Sequence, residues 1–269
     1  MKHVIAGNIK ILYNNAGKSS VDLFANACTK SIPVIYETWG LKAPANCKVY
    51  IMTSWQSYLF QTLSWAEKFF LVVVLPISLP QVYMKMSKSW RLFSGWTVPS
   101  RPNCWIKTLA LVNMSSHELR DKVHIQETDP DNIVRLAICH ELTHAFSVHL
   151  KLPLWLSEGI AMYTTDKFAG KITVKAESLK YLEPNPHKNR STNYTKLTTG
   201  DDDRIAYNYA RGYWLTRYLE HNFPGFIRGL LVKRQSKRKI EQQLSLKTGI
   251  PVKDFWNEID KKIVAQFAL

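Results

Sequence analysis

The chain has 269 residues, 46% of them apolar and 12% aromatic, with a formal net charge of +15. That size and composition suit a folded chain with a sizeable core, as one domain of two lobes or two small domains, and exclude a disordered one. The charge predicts affinity for acidic partners as a class, whether nucleic acid, anionic lipid or acidic peptides.

In chain order, Met1-Lys2-His3-Val4-Ile5-Ala6-Gly7-Asn8 lacks an apolar stretch long enough for a signal peptide. Ile9–Tyr13 reads as a first strand. Val21, Phe24, Ala25, Cys28, Ile32, Ile35 and Trp39 then recur at helical spacing, with Gly40 as a stop and Pro33 predicting a kink or a split. Lys48–Met52 reads as a second strand. Residues 54–68 look helical, with Trp55, Tyr58, Leu59, Thr62 and Leu63 on one side. The most apolar run, 69–79, is broken by Pro76 and followed by Pro80. It falls far short of the roughly 20 residues a membrane helix needs. It reads as a buried strand or short helix, with a lid or a membrane-surface contact as the alternatives. With no leader and no span in view, the expected location is cytoplasmic. Residues 95–103 read as a loop with two prolines, 105–113 as a strand with its core at 106–112, and 123–127 as a further strand.

His140-Glu141-Leu142-Thr143-His144 is the pattern HExxH. Asp129-Pro130-Asp131-Asn132 supplies helix-start chemistry just upstream, with Asp129 or Asp131 as N-cap. Ile133, Leu136, Ala137, Leu142, Ala145 and Phe146 bury much of the helix that follows, and no helix breaker intervenes before Pro153. Two histidines four apart on a helix project from one face, so both imidazoles can reach one zinc ion. Glu141 between them can act as general base toward a water on that ion. The plain alternative is an amphipathic helix that happens to carry two histidines.

A zinc site of this kind needs a third protein ligand and an open fourth position. His149 lies nine residues after His140, on the opposite side of the helix, which rules it out. Ser147 and Leu150 stand where the metzincin pattern needs glycine and histidine. Glu158 remains. Lys151-Leu152-Pro153 makes a turn, a second apolar helix begins near Leu154, and its return brings Glu158 back over the first helix. A lone glutamate inside Trp155-Leu156-Ser157-Glu158-Gly159-Ile160-Ala161 would be costly to bury unpaired. The alternative is a solvent-facing Glu in the first turns of that helix. Gly159 would allow the two helices close approach.

These residues resemble the gluzincin metallopeptidases, the thermolysin-like clan. The similarity is closest to peptidase MA-type families with HExxH followed by a "lPxWlsEGlAxY" segment, here Leu152-Pro153-Leu154-Trp155-Leu156-Ser157-Glu158-Gly159-Ile160-Ala161-Met162-Tyr163. Tyr209-Ala210-Arg211-Gly212-Tyr213-Trp214-Leu215 resembles their "Y-a-q-g-y-x-l" helix. Thr248-Gly249-Ile250-Pro251-Val252-Lys253-Asp254-Phe255-Trp256 resembles their terminal "tG-x-s-x-x-e-F" segment. The resemblance covers 131–165 and 201–262; residues 56–94 depart from it in being more hydrophobic. It implies one Zn2+ per chain on His140, His144 and Glu158, and hydrolysis of a peptide or protein substrate with Glu141 as base. It also suggests Tyr209 as the donor to the developing oxyanion, with Tyr213, one turn on, as second choice; the alternative is that both tyrosines simply pack. By the same analogy, 105–113 is the strand that pairs with extended substrate.

The expected fold is α+β: an N-terminal mixed strand and helix lobe, 1–152, carrying the HExxH helix, then a helical C-terminal lobe, 153–269, carrying the third ligand, as a single thermolysin-like catalytic domain. Residues 175–203 are polar and read as a long surface loop near the site; 204–222, 225–234, 240–248 and 252–267 read as helices. Cys28, Cys47, Cys104 and Cys139 form no CxxC pair and read as reduced structural thiols, with Cys139 in the core rather than a ligand. Lys233-Arg234-Gln235-Ser236-Lys237-Arg238-Lys239 is the densest basic cluster and reads as a solvated loop. No nucleic-acid motif surrounds it, so an acidic partner or a membrane surface is what the charge offers. No GxMEN-like motif for a free amino terminus is visible, which favours an endopeptidase. Two further readings stand beside it: a catalytically silent basic interaction protein on the same scaffold, and a zinc hydrolase of a non-peptide bond.

Overall fold

The computed structural model describes residues 1–54, 90, 94–97, 101–113, 123–124, 127–183 and 202–268. The expected helix over 54–68 (apart from Ser54) and the apolar run 69–79 lie outside them. The fold is α+β. Among the described residues, a five-stranded sheet has the order β1-β2-β3-β5-β4, with β1 Lys2–Ala6, β2 Ile9–Tyr13, β3 Lys48–Met52, β4 Gly95–Thr97 and β5 Asn103–Lys107. β2, β3 and β5 run parallel, and β1 and β4 pair antiparallel at the two edges.

The strands at 9–13 and 48–52 fall where the sequence puts them; β1 was not anticipated. Its residues are mostly exposed, so it shows little burial pattern, and it is joined to β2 through Gly7-Asn8. Gly7 sits at φ 60°, the left-handed conformation that a two-residue hairpin loop asks for at its first position. Two expectations are corrected further on. Residues 95–103 are not all loop, since 95–97 form β4. Residues 105–113 are not one strand: β5 ends at Lys107, and a short helix, α2 Leu109–Asn113, follows. The apolar residues at 109–112 mark a turn of helix as well as they mark a strand; a short apolar run does not distinguish the two.

Side chains alternate across the sheet. Ile11, Val49, Cys104 and Thr97 lie in one row, and Ile51, Ile106 and Gly95 in the next. Ile11, Val49, Ile51, Cys104 and Ile106 are all buried. On the opposite face Tyr50 stacks on Trp105 at 5.2 Å between ring centroids. Helix α1, Val21–Trp39, is continuous through Pro33, so the proline does not split it. Its ring removes one backbone donor, but Phe24, Cys28, Ile35 and Trp39 hold the helix by burial. Gly40 at φ 72° caps it.

The HExxH helix, α3 Pro130–Ser147, starts as expected: the Asp129 carboxylate accepts from the Asp131 N–H at 3.0 Å, and Pro130 occupies the first turn. It ends at Ser147, in a 3-10 turn over Val148–Leu150. Lys151 then takes φ 49°, which reverses the chain into α4, Leu154–Ala169. Residues 175–203 are not all surface loop. A 3-10 segment, Ala176–Leu182, buries Ser178, Leu179 and Leu182, and the Trp214 indole N–H donates to Ser178 Oγ at 2.8 Å. Of the strand expected at 123–127, a single bridge between His124 and Val174 is described.

Helices α5 Asp202–Asn222, α6 Phe226–Leu230, α7 Lys237–Thr248 and α8 Phe255–Phe267 close the fold. The expected basic loop is in part a helix start. Ser236 caps α7, and Lys237, Arg238 and Lys239 form its exposed first turn. α5 is tied to both sides. Arg211 pairs with Asp260 at 3.2 Å while its guanidinium lies 4.3 Å from the Trp256 ring centroid. The buried Asp166 carboxylate accepts from Tyr213 Oη at 2.6 Å and from the Thr173 N–H at 2.7 Å. Among the described residues, no helix is long and apolar enough to cross a membrane.

Candidate metal centre

α3 and α4 meet at His140, His144 and Glu158. The helical spacing of four stacks the two imidazoles on one side of α3, and the reversal at Lys151-Leu152-Pro153 brings Glu158 of α4 across them. His140 Nε2 lies 3.0 Å from His144 Nε2 and 3.3 Å from Glu158 Oε2; His144 Nε2 lies 3.5 Å from the same oxygen. Glu158 is only 1% exposed. These are the three residues the sequence singled out as ligands.

Three ligand atoms this close could hold a metal ion among them. Tetrahedral ligands 2.0–2.1 Å from zinc stand about 3.3 Å from one another, and the three separations bracket that value. The set is borderline-soft nitrogen with one hard oxygen, a donor set that suits zinc. The geometry therefore fits a bound divalent ion. His144 is turned the right way for it: Nδ1 lies 3.0 Å from Ser157 Oγ, a contact that holds the ring with Nε2 facing the cluster. Without a metal, the histidines and the carboxylate settle the charge between themselves. Burial works to raise the Glu158 pKa, but the adjacent His144 and His140 outweigh it and hold the carboxyl below its ordinary range. Burial likewise works to lower the His144 pKa, and the Glu158 and Glu141 carboxylates outweigh it in the other direction.

Glu141 is 8% exposed and lies against β4. Thr97 Oγ1 donates to its Oε2 at 2.6 Å, and a Cβ on Gly95 would stand 2.6 Å from its Cγ. Cys104 Sγ donates to the Glu141 carbonyl at 3.3 Å. Ser157, Thr97 and Gly95 were not picked out by sequence reasoning. Ser157 had a signal, being the residue before the carboxylate ligand. Thr97 and Gly95 had almost none, because β4 is three residues long and Pro99 and Pro102 flank it.

The two tyrosines differ sharply. Tyr213 is fully buried, its hydroxyl bonded to Asp166 and 3.2 Å from Arg217. Burial, with Asp166 beside it, raises its pKa far above the ordinary phenol range. Its hydroxyl proton is engaged by the Asp166 carboxylate. Tyr209 is half-buried and packs at the margin of the core. Tyr207 turns away, toward Asp260 at 3.5 Å. All four cysteines are free and buried, Cys139 in the core rather than in the cluster. Gly159 was expected to let α4 approach α3; instead it faces Gly212 and Thr216 of α5.

In comparison with known proteins, no family model and no curated sequence matches the chain.

Proposed function

We propose that the protein is a zinc-dependent peptidase of the gluzincin type, with a thermolysin-like catalytic domain. One observation carries the reading. His140, His144 and Glu158 present three ligand atoms 3.0–3.5 Å apart, and the carboxylate of Glu141 is carried on the same helix, between the two histidines. His140, His144 and Glu158 would hold one zinc ion. When bound, zinc supplies a Lewis acid and makes a water acidic enough to lose a proton near neutral pH.

The chain's own residues do the rest. Glu141 accepts the proton from water and returns it to the departing amine, so it acts first as base and then as acid. Tyr209 donates to the substrate carbonyl oxygen as negative charge builds there, which a phenol does without adding charge of its own. Ser157 keeps His144 in one tautomer through the step. Substrate pairs as an added strand along β4. β4 takes the place expected of 105–113, because β5 is paired on both sides and, among the described residues, β4 is the edge strand next to Glu141. The test is hydrolysis of a diverse peptide library by the zinc-loaded protein and by Glu141→Gln. Cleavage that disappears in the variant while zinc stays bound supports the reading; equal cleavage by both removes Glu141 as the base.

A further inference from the structure

We propose that Thr97 is the positioning residue for Glu141, holding one carboxylate oxygen, Oε2, so that Oε1 is the oxygen that takes the proton. This rests on the reading of Glu141 as general base. The 2.6 Å separation between Thr97 Oγ1 and Glu141 Oε2 is that of a hydroxyl donating to a charged carboxylate. Thr97 has one proton to give. Its other neighbours, the Glu141 carbonyl at 3.1 Å and Cys104 Sγ at 3.5 Å, are farther and weaker acceptors. The Glu141 carbonyl already receives Cys104 Sγ.

The strand is shaped for this contact. Thr97 pairs with Cys104 and Gly95 with Ile106, so both point from one face of the sheet toward α3. Gly95 leaves room for the Glu141 stem, which a Cβ would strike at 2.6 Å from Cγ and 3.2 Å from Cδ. Thr97 then fixes the end of that side chain. A glutamate has three side-chain torsions to settle before it can act as a base, and a base works only within hydrogen-bond reach of its proton. A hydroxyl that removes this freedom raises the rate of the chemical step and leaves substrate and metal binding alone.

The experiment compares wild type, Thr97→Val, Thr97→Ser and Glu141→Gln as full-length, zinc-loaded proteins on a peptide taken from the library search. Valine keeps the shape and branching of threonine and loses only the hydroxyl. Thr97→Val is expected to lower kcat about 10- to 100-fold, the scale of a misplaced catalytic group. KM and zinc per chain should stay at wild-type values, the melting temperature should fall because the buried Glu141 carboxylate loses a donor, and Thr97→Ser should recover most of the rate and of the melting temperature. Crystal structures of wild type and Thr97→Val are expected to show the Glu141 carboxylate leaving the strand in the variant; this readout needs no substrate. An unimpaired Thr97→Val beside an inactive Glu141→Gln overturns the role of Thr97 and leaves the peptidase reading standing. So does a Glu141 carboxylate that keeps its place in the Thr97→Val crystal. A fully active Glu141→Gln overturns both.

Discussion

Gly159 of α4 lies against Gly212 of α5 with no side chain between them. A Cβ on Gly212 would stand 2.7 Å from the Trp155 carbonyl oxygen and 3.5 Å from the Glu158 Cβ; one on Gly159 would overlap the Gly212 carbonyl and the Thr216 hydroxyl. The helix that carries Glu158 is thus seated by backbone-to-backbone contact. Gly159→Ala is expected to push the helices apart, destabilise the fold by about 1–3 kcal/mol and weaken zinc retention, because Glu158 is the next residue. Gly229→Ala is the control. A Cβ there meets nothing within 4 Å, and helix propensity favours alanine by up to about 1 kcal/mol. Urea denaturation and zinc competition on both variants check this; equal behaviour of the two would contradict it.

The tyrosines of α5 separate packing from chemistry. Tyr213→Phe takes from the buried Asp166 carboxylate its 2.6 Å donor and should cost about 1–3 kcal/mol of stability, with kcat unchanged in the folded fraction. Tyr209→Phe should leave stability near wild type and lower kcat about 100-fold or more, the usual loss for one oxyanion donor. Melting curves and steady-state kinetics of the two variants decide it, and a Tyr209→Phe protein with wild-type kcat removes that residue from the mechanism.

The His140–His144–Glu158 group was more legible in the sequence than the sheet around it. Helical spacing alone put His140 and His144 on one side of α3, and Asp129 and Pro130 announced where that helix starts. Glu158 followed from a physical cost, since a carboxylate among tryptophan and leucines needs a partner. Local pattern failed where the partner was distant in sequence. Thr97 meets Glu141 across 44 residues, and the role of Gly159 depends on Gly212, more than fifty positions on. It failed again where an element was short. β4 carries too few residues to show alternation, and β1 lies at a sheet edge with most of its side chains in water. Pro33 misled because a helix packed along its length tolerates a missing backbone hydrogen bond.

The thiols make stability sensitive to alkali. Burial holds Cys47 and Cys139 at about 12, against an ordinary value of 9.0, and raises Cys28 and Cys104 as well. The unfolded chain therefore loses thiol protons at lower pH than the folded one. Stability from this source is fully present below about pH 9 and is lost as pH rises toward 12, with a limiting slope of about 1.4 kcal/mol per pH unit for each thiol. Urea midpoints under reducing conditions at pH 7.5 and 10 should fall for wild type and fall less for Cys139→Ala; an identical fall in both would rule out this source for Cys139.

The central claim is the metal centre, and the direct measurement is elemental mass spectrometry of purified wild type, His144→Ala and Glu158→Ala after zinc loading and removal of free ion. The geometry of His140, His144 and Glu158 predicts about one zinc per chain in wild type and its loss in both variants. A wild type that holds no zinc, or variants that hold as much as wild type, would contradict it.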